Sequence, residues 1–164
     1  MPKNFALGHH LPYLVNRAGV KFHSRFGRDL APHGLTLTEW RVLAALWEKS
    51  DLNLSQLAAI TSTEISTLSR LTAKLERKQL INRRRSNTDC RQLRLSLTKR
   101  GRQLTARLIP ASQQYERLAT QSLSESDVRH LKRLLVKLYA NLNTNNTDRA
   151  DDIDRPVTSR PAAK

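Results

Sequence analysis

Five side chains within residues 62–79 have the types and spacing to touch a nucleic acid. Ser66, Thr67, Arg70, Lys74 and Arg77 share one side of a segment whose other side repeats Ile65, Leu68, Leu71, the Thr72 methyl and Leu75 at helical spacing. Small hydroxyls near the start of such a helix permit close approach to base edges and phosphates, while an arginine forks onto guanine and a lysine neutralises a backbone charge. Thr63, in the turn just before, belongs to the same candidate set. An ordinary amphipathic helix with a solvated polar face has the same pattern, so the neighbouring residues must decide between the two.

The charge distribution favours a polyanion. The 164 residues carry 29 Lys and Arg against 14 Asp and Glu, a net charge of +15. Thirteen of those cations, Arg84 among them, lie within residues 70–107 and face only Glu76 and Asp89, a local balance of +11. A nucleic acid fits this footprint better than an anionic membrane does, because the accompanying helix has no large aromatic face to insert.

Other chemistries find little support. The five histidines, His9, His10, His23, His33 and His130, form no metal-ligand spacing, and the adjacent pair His9 and His10 would point to different faces of a helix. Gly-rich phosphate loops and nucleophile settings are missing, so neither an enzyme nor a cofactor is expected. The single Cys90 excludes an intrachain disulfide and argues against zinc. No apolar run approaches a bilayer span and the N-terminus lacks a continuous apolar signal region, so a soluble cytoplasmic protein is expected.

The elements that position the candidate residues follow from periodicity and capping. Leu11, Leu14, Val15, Ala18, Phe22 and Phe26 form one stripe of a helix from about His9 to Leu30, with Pro12 in its first turn and a breaker cluster at residues 31–34. Thr36 and Glu39 have capping-box spacing before a second helix bearing Trp40, Val42, Leu43, Leu46 and Trp47. After a polar break at residues 50–53 comes a short third helix over residues 54–60, and then the polar, basic segment. Two short helices joined by a brief turn read as a helix-turn-helix. Alternation then replaces helical spacing, with Leu93, Leu95 and Leu97 on one side and Arg94 and Ser96 on the other, so residues 80–85 and 93–97 should pair as a basic hairpin around the turn residues 86–89. Thr98 can cap a fifth helix with a kink at Pro110, and Ser124 a sixth striped by Val128, Leu131, Leu134, Leu135, Leu138 and Leu142. Polar residues 143–164 are expected to be a disordered tail.

These residues resemble the MarR family of winged-helix transcriptional regulators, over roughly His9 to Leu142. Residues 89–101, Asp-Cys-Arg-Gln-Leu-Arg-Leu-Ser-Leu-Thr-Lys-Arg-Gly, are similar to the family pattern of Asp-x-Arg, Leu-x-Leu-Thr and then Gly. Residues 34–43 are similar to the start of the family's second helix, and residues 66–77 to its recognition helix. One departure is Gln79, where the family usually has a helix-ending glycine. The fold expected is therefore mainly α with a small β-hairpin wing: a winged helix-turn-helix lobe over residues 36–98 and dimerisation helices over residues 9–33 and 99–142, together one domain over residues 1–142.

The resemblance implies a homodimer on a pseudo-palindromic double-stranded DNA operator, with interlocked terminal helices. Recognition helices would enter the major groove and wings the minor groove, Arg91 inserting there with Asp89 orienting it. It also implies repression relieved by a small anionic aromatic acid, or an aromatic acyl-coenzyme A thioester, as in regulators of aromatic compound catabolism. His10, Tyr13, Arg17 and Trp40 would line that effector site, the arginine suiting a carboxylate and the aromatic walls a ring. An architectural or replication-associated winged helix with no small-molecule switch is the alternative, distinguished by having no need for long terminal helices. Cys90, at the expected wing tip and without a resolving partner, reads as an incidental exposed residue.

Overall fold

The computed structural model describes residues 5–85 and 93–150. A 3-10 turn at Leu7–His9 precedes α1 (Leu11–Leu30), which starts two residues later than expected because His10 is extended; Pro12 occupies its first turn. Chain reversal follows at Gly34, whose left-handed backbone suits a glycine, and then α2 (Leu37–Glu48) begins on the expected capping box. The Thr36 hydroxyl accepts from the Glu39 amide at 3.2 Å, and a Glu39 carboxylate oxygen accepts from the Thr36 amide at 2.7 Å.

The polar break conceals a strand, β1 (Leu52–Asn53), which leads into α3 (Leu54–Thr61) and α4 (Ile65–Arg77). A basic hairpin follows, β2 (Ile81–Arg85) and β3 (Leu93–Leu97), in antiparallel register from Ile81 opposite Leu97 to Arg85 opposite Leu93. β1 adds to the other edge of β3, giving a three-stranded sheet in the order β1-β3-β2. Two residues are too short to show an alternation, so β1 is defined only by its partner, which buries Leu52.

α5 (Lys99–Thr120) runs unbroken through Pro110, and its start is tied to the sheet. The Thr98 hydroxyl accepts from the Gly101 amide and donates to the Gln79 carbonyl, while its own amide donates to the Leu80 carbonyl. A β-carbon on Gly101 would overlap that Leu80 carbonyl, so the position demands glycine on grounds of space. α6 (Glu125–Ala150) starts on a reciprocal Ser124–Asp127 cap. It continues eight residues past the expected end at 142, because extending an existing helix needs no new nucleus. Residues 151–164 of the expected tail lie outside the described residues.

Two compact units result, Met1–Leu118 and Ala119–Lys164. The first encloses a core in which Leu30, Leu43, Leu46, Leu57, Leu68, Leu75 and Leu95 are fully buried. On α1, by contrast, only Phe26 and Leu30 are buried, while Leu11, Leu14, Val15 and Phe22 stay exposed. α6 likewise leaves Leu131, Leu134, Leu135, Tyr139 and Leu142 exposed.

Candidate nucleic-acid interface

Each end of the helix-turn-helix is fixed by local hydrogen bonding. Asn53 and Gln56 form a second capping box at the start of α3, at 2.8 and 2.9 Å. Ser62 then takes a left-handed conformation (φ 51°), and the Thr63 amide reaches back to the Ala58 carbonyl at 3.3 Å. Thr63 is half-buried, its hydroxyl donating to the Thr61 carbonyl. The turn thereby sets the angle at which α4 leaves α3.

α4 packs through Leu68, Thr72 and Leu75, with Leu71 half-buried. Ile65, expected on that face, is instead 50% exposed in the first turn, short of the core. The opposite face presents Ser66, Thr67, Arg70 and Arg77 to solvent. Beyond Arg77 the helix closes in a Schellman motif: the Leu80 amide bonds the Leu75 carbonyl at 3.0 Å and the Gln79 amide bonds the Glu76 carbonyl at 2.8 Å. Gln79 holds the left-handed position at φ 58°, so the helix ends where a glycine would have ended it.

The basic residues divide into free and paired. Among the described residues Arg70, Arg77 and Arg84 are exposed and make no ion pair. Lys74 and Lys78 instead converge on Glu39, their Nζ atoms 3.2 and 3.0 Å from its Oε1, and Lys78 also donates to the Gly34 carbonyl at 2.6 Å. Glu39 is 1% exposed. Burial alone raises its pKa, but the Thr36 amide, Lys78 and Lys74 outweigh that and hold the carboxyl below the usual glutamate value. Arg83 lies 3.7 Å from Glu76. On the wing Arg84 stands directly opposite Arg94, a repulsive cross-strand pair relieved by the Asp51 carboxylate 2.7 Å from Arg94. Asp89 and Arg91, the expected minor-groove pair, lie outside the described residues, as does Cys90.

A crevice of about 320 Å³ opens between α1, α2 and α5. Phe22, Phe26, Trp40 and Tyr115 wall it, with Phe26 packed edge-on to both Trp40 (5.3 Å) and Tyr115 (5.9 Å). Its polar contributors are His23 and Arg41, which meet at 3.2 Å, and Ser112. Partial burial, then the neighbouring Asp29, pushes the Tyr115 hydroxyl above its ordinary value. Of the four residues expected at an effector site, only Trp40 lines this crevice. His10, Tyr13 and Arg17 lie on or just before the first half of α1 and are not among its walls.

Sequence reasoning passed over Glu39, Lys78, His23, Arg41 and Tyr115. Glu39 was legible as a cap; that its second oxygen would meet α4 depends on packing. His23 precedes Phe26 by three residues, a usable sign that it shares the inward side of α1.

Residues 35–93, from the start of α2 to the wing, match the model of the MarR family. The HTH-type transcriptional regulator SarZ of Staphylococcus epidermidis is 30% identical over 84% of this chain and 94% of its own length. A MarR-family regulator from Silicibacter pomeroyi superposes with a TM-score of 0.75 at 28% identity, covering 83% of this chain and 92% of that one. Bordetella bronchiseptica BpsR has the same fold, with a TM-score of 0.76 at 20% identity over 83% and 97% of the two chains. These sequence relatives are regulators, not enzymes, and with the wing and the exposed face of α4 they fix the assignment. The chain is a DNA-binding transcriptional regulator of the MarR family.

Proposed function

We propose that the protein is a homodimeric repressor that binds a pseudo-palindromic operator and is released by a small anionic aromatic ligand or its coenzyme A thioester. The observation that carries the release step is the crevice walled by Phe22, Phe26, Trp40 and Tyr115 with Arg41 and His23 beside it. Its volume falls within the usual range for a small-ligand site, and aromatic walls with a guanidinium suit a ring bearing a carboxylate. BpsR, of the same fold, has its DNA binding regulated by 6-hydroxynicotinic acid, a compound of that chemistry. Arg41 and His23 are candidates here beside Trp40, with His10, Tyr13 and Arg17 of α1 kept as proposed effector contacts.

On DNA, Ser66, Thr67 and Arg70 read base edges in the major groove, with Thr63 and Arg77 on the backbone, Lys74 reaching it once the operator is seated, and Arg84 contributing from the wing. Arg91 and Asp89 serve the minor groove. Dimerisation is supported by the exposed leucines of α1 and α6, since two apolar helix faces of that extent are rarely left to water.

The test is fluorescence anisotropy on duplex DNA from the protein's own upstream intergenic region at fixed salt, repeated with aromatic acids and then their coenzyme A thioesters. Binding that is specific over random duplex and weakened by one compound, with Arg41→Ala abolishing the compound's effect but not DNA binding, is the expected result. Binding indifferent to sequence and to every compound would make the protein an architectural DNA binder.

A further inference from the structure

The two carboxylate oxygens of Glu39 have separate tasks. Oε2 accepts the Thr36 amide at 2.7 Å and so completes the cap of α2. A glutamine would do the same, because this cap needs an acceptor and not a charge. Oε1 lies 3.2 Å from Lys74 and 3.0 Å from Lys78, both belonging to the C-terminal end of the recognition helix. The negative charge of Glu39 is therefore surplus to capping, and it is directed wholly at α4. Of its two partners Lys78 is held a second time, by the Gly34 carbonyl. Among the described residues Lys74 has no second such contact; its side chain is 51% exposed and sits four residues from Arg70 and three from Arg77, on the same helix face.

A lysine in that position is attracted to any phosphate, whatever the sequence, and so tightens binding to operator and random DNA alike. Resting on the DNA-binding reading above, we infer that Glu39 is a specificity-determining residue acting through Lys74: it withholds that ammonium from the DNA backbone. Recognition is thereby left to Ser66, Thr67 and Arg70. A phosphate that takes Lys74 must displace it from a buried carboxylate, which only a correctly seated operator can compensate through base contacts elsewhere on the helix.

The salt dependence of binding to a random-sequence duplex tests this, because its slope counts phosphates neutralised. Glu39→Gln keeps the cap and should steepen that slope by about 0.9, tightening random-duplex binding roughly eightfold at 0.1 M salt. Preference for the upstream-region duplex should fall correspondingly. Glu48→Gln, the same charge change at an exposed site on α2, controls for net charge and should leave the slope as it is. Combined with Glu39→Gln, Lys74→Met should remove the added slope of about 0.9. In the wild-type background it should remove less than half of that, a measurement that stands even if Glu39→Gln fails to fold. An unchanged slope in Glu39→Gln, or a full loss of about 0.9 from Lys74→Met alone, overturns the role of Glu39. If wild-type protein shows neither a salt slope nor a preference for the upstream duplex, it is the DNA-binding reading that fails instead.

Discussion

The winged-helix lobe and the terminal helices spend their apolar residues differently. In the lobe, leucines from α2, α3, α4 and β3 are sealed from water within one chain, and buried Thr61 and Thr72 each donate a hydrogen bond to a carbonyl of their own helix. Along α6, Leu134 remains 48% exposed and Val136 70% exposed, and the first half of α1 is similar. The lobe's core is closed by Phe26 and Leu30 of α1 and Leu108 of α5. Helices patterned like α6 leave apolar stripes open to water, the surface on which the proposed dimer rests.

The closest approach between the lobe and α5 should be the most vulnerable point of this unit. Gly101→Ala forces a methyl onto the Leu80 backbone, which cannot yield without moving both β2 and the Thr98 bridge. We expect a loss of about 3 kcal/mol or more in chemical denaturation. A loss under about 1 kcal/mol would mean that α5 and the sheet are not rigidly joined.

The opposite result is expected on α6. Leu131→Glu combined with Leu135→Glu should leave the fluorescence of Trp40 and Trp47, both in the lobe, unchanged while shifting the protein from dimer to monomer in analytical ultracentrifugation. A weakening of the dimer by roughly 100-fold, about 2.7 kcal/mol, is expected from four charges placed at a two-fold interface. Loss of the tryptophan signal instead would show that the lobe depends on α6 for its fold.

Glu39 offers a smaller effect with a pH signature. Glu39→Ala removes the cap partner and should cost about 1–2 kcal/mol at neutral pH. Because the folded-state pKa of Glu39 is depressed, the charge-dependent part of its contribution is fully present above the unfolded glutamate value and is lost as pH falls through the folded one. Denaturation curves of wild type and variant should therefore draw together in acid. Curves that stay parallel down to the lower value would assign the whole effect to the neutral cap.

Local rules in the sequence carry most of the lobe. The start of α2 and the Thr98 and Ser124 caps follow from residues within a few positions of one another, and the alternation of Leu93, Leu95 and Leu97 marks the strand that pairs with residues 81–85. What escaped depends on residues far apart in the chain. β1 exists only because β3 pairs with it, and Glu39 meets residues 35 and 39 positions away. Arg41 and His23 line one crevice because α1 packs on α2, a meeting that the spacing along either helix alone does not show.

The finest test of the lobe concerns a residue whose type and conformation disagree. Gln79 is held at φ 58° by the two hydrogen bonds that end α4, a region that costs a residue with a β-carbon about 1 kcal/mol and a glycine almost nothing. Gln79→Gly relieves that cost but gives the unfolded chain more conformational freedom, which offsets part of the gain. The side chain is exposed and its carbonyl, the acceptor for Thr98, is unaffected by the change. A net stabilisation of about 0.5 kcal/mol is expected, visible as a higher midpoint in urea at unchanged slope. An equal destabilisation would show that the Gln79 side chain makes a stabilising contact of its own, and that α4 is held at its end by more than the backbone motif.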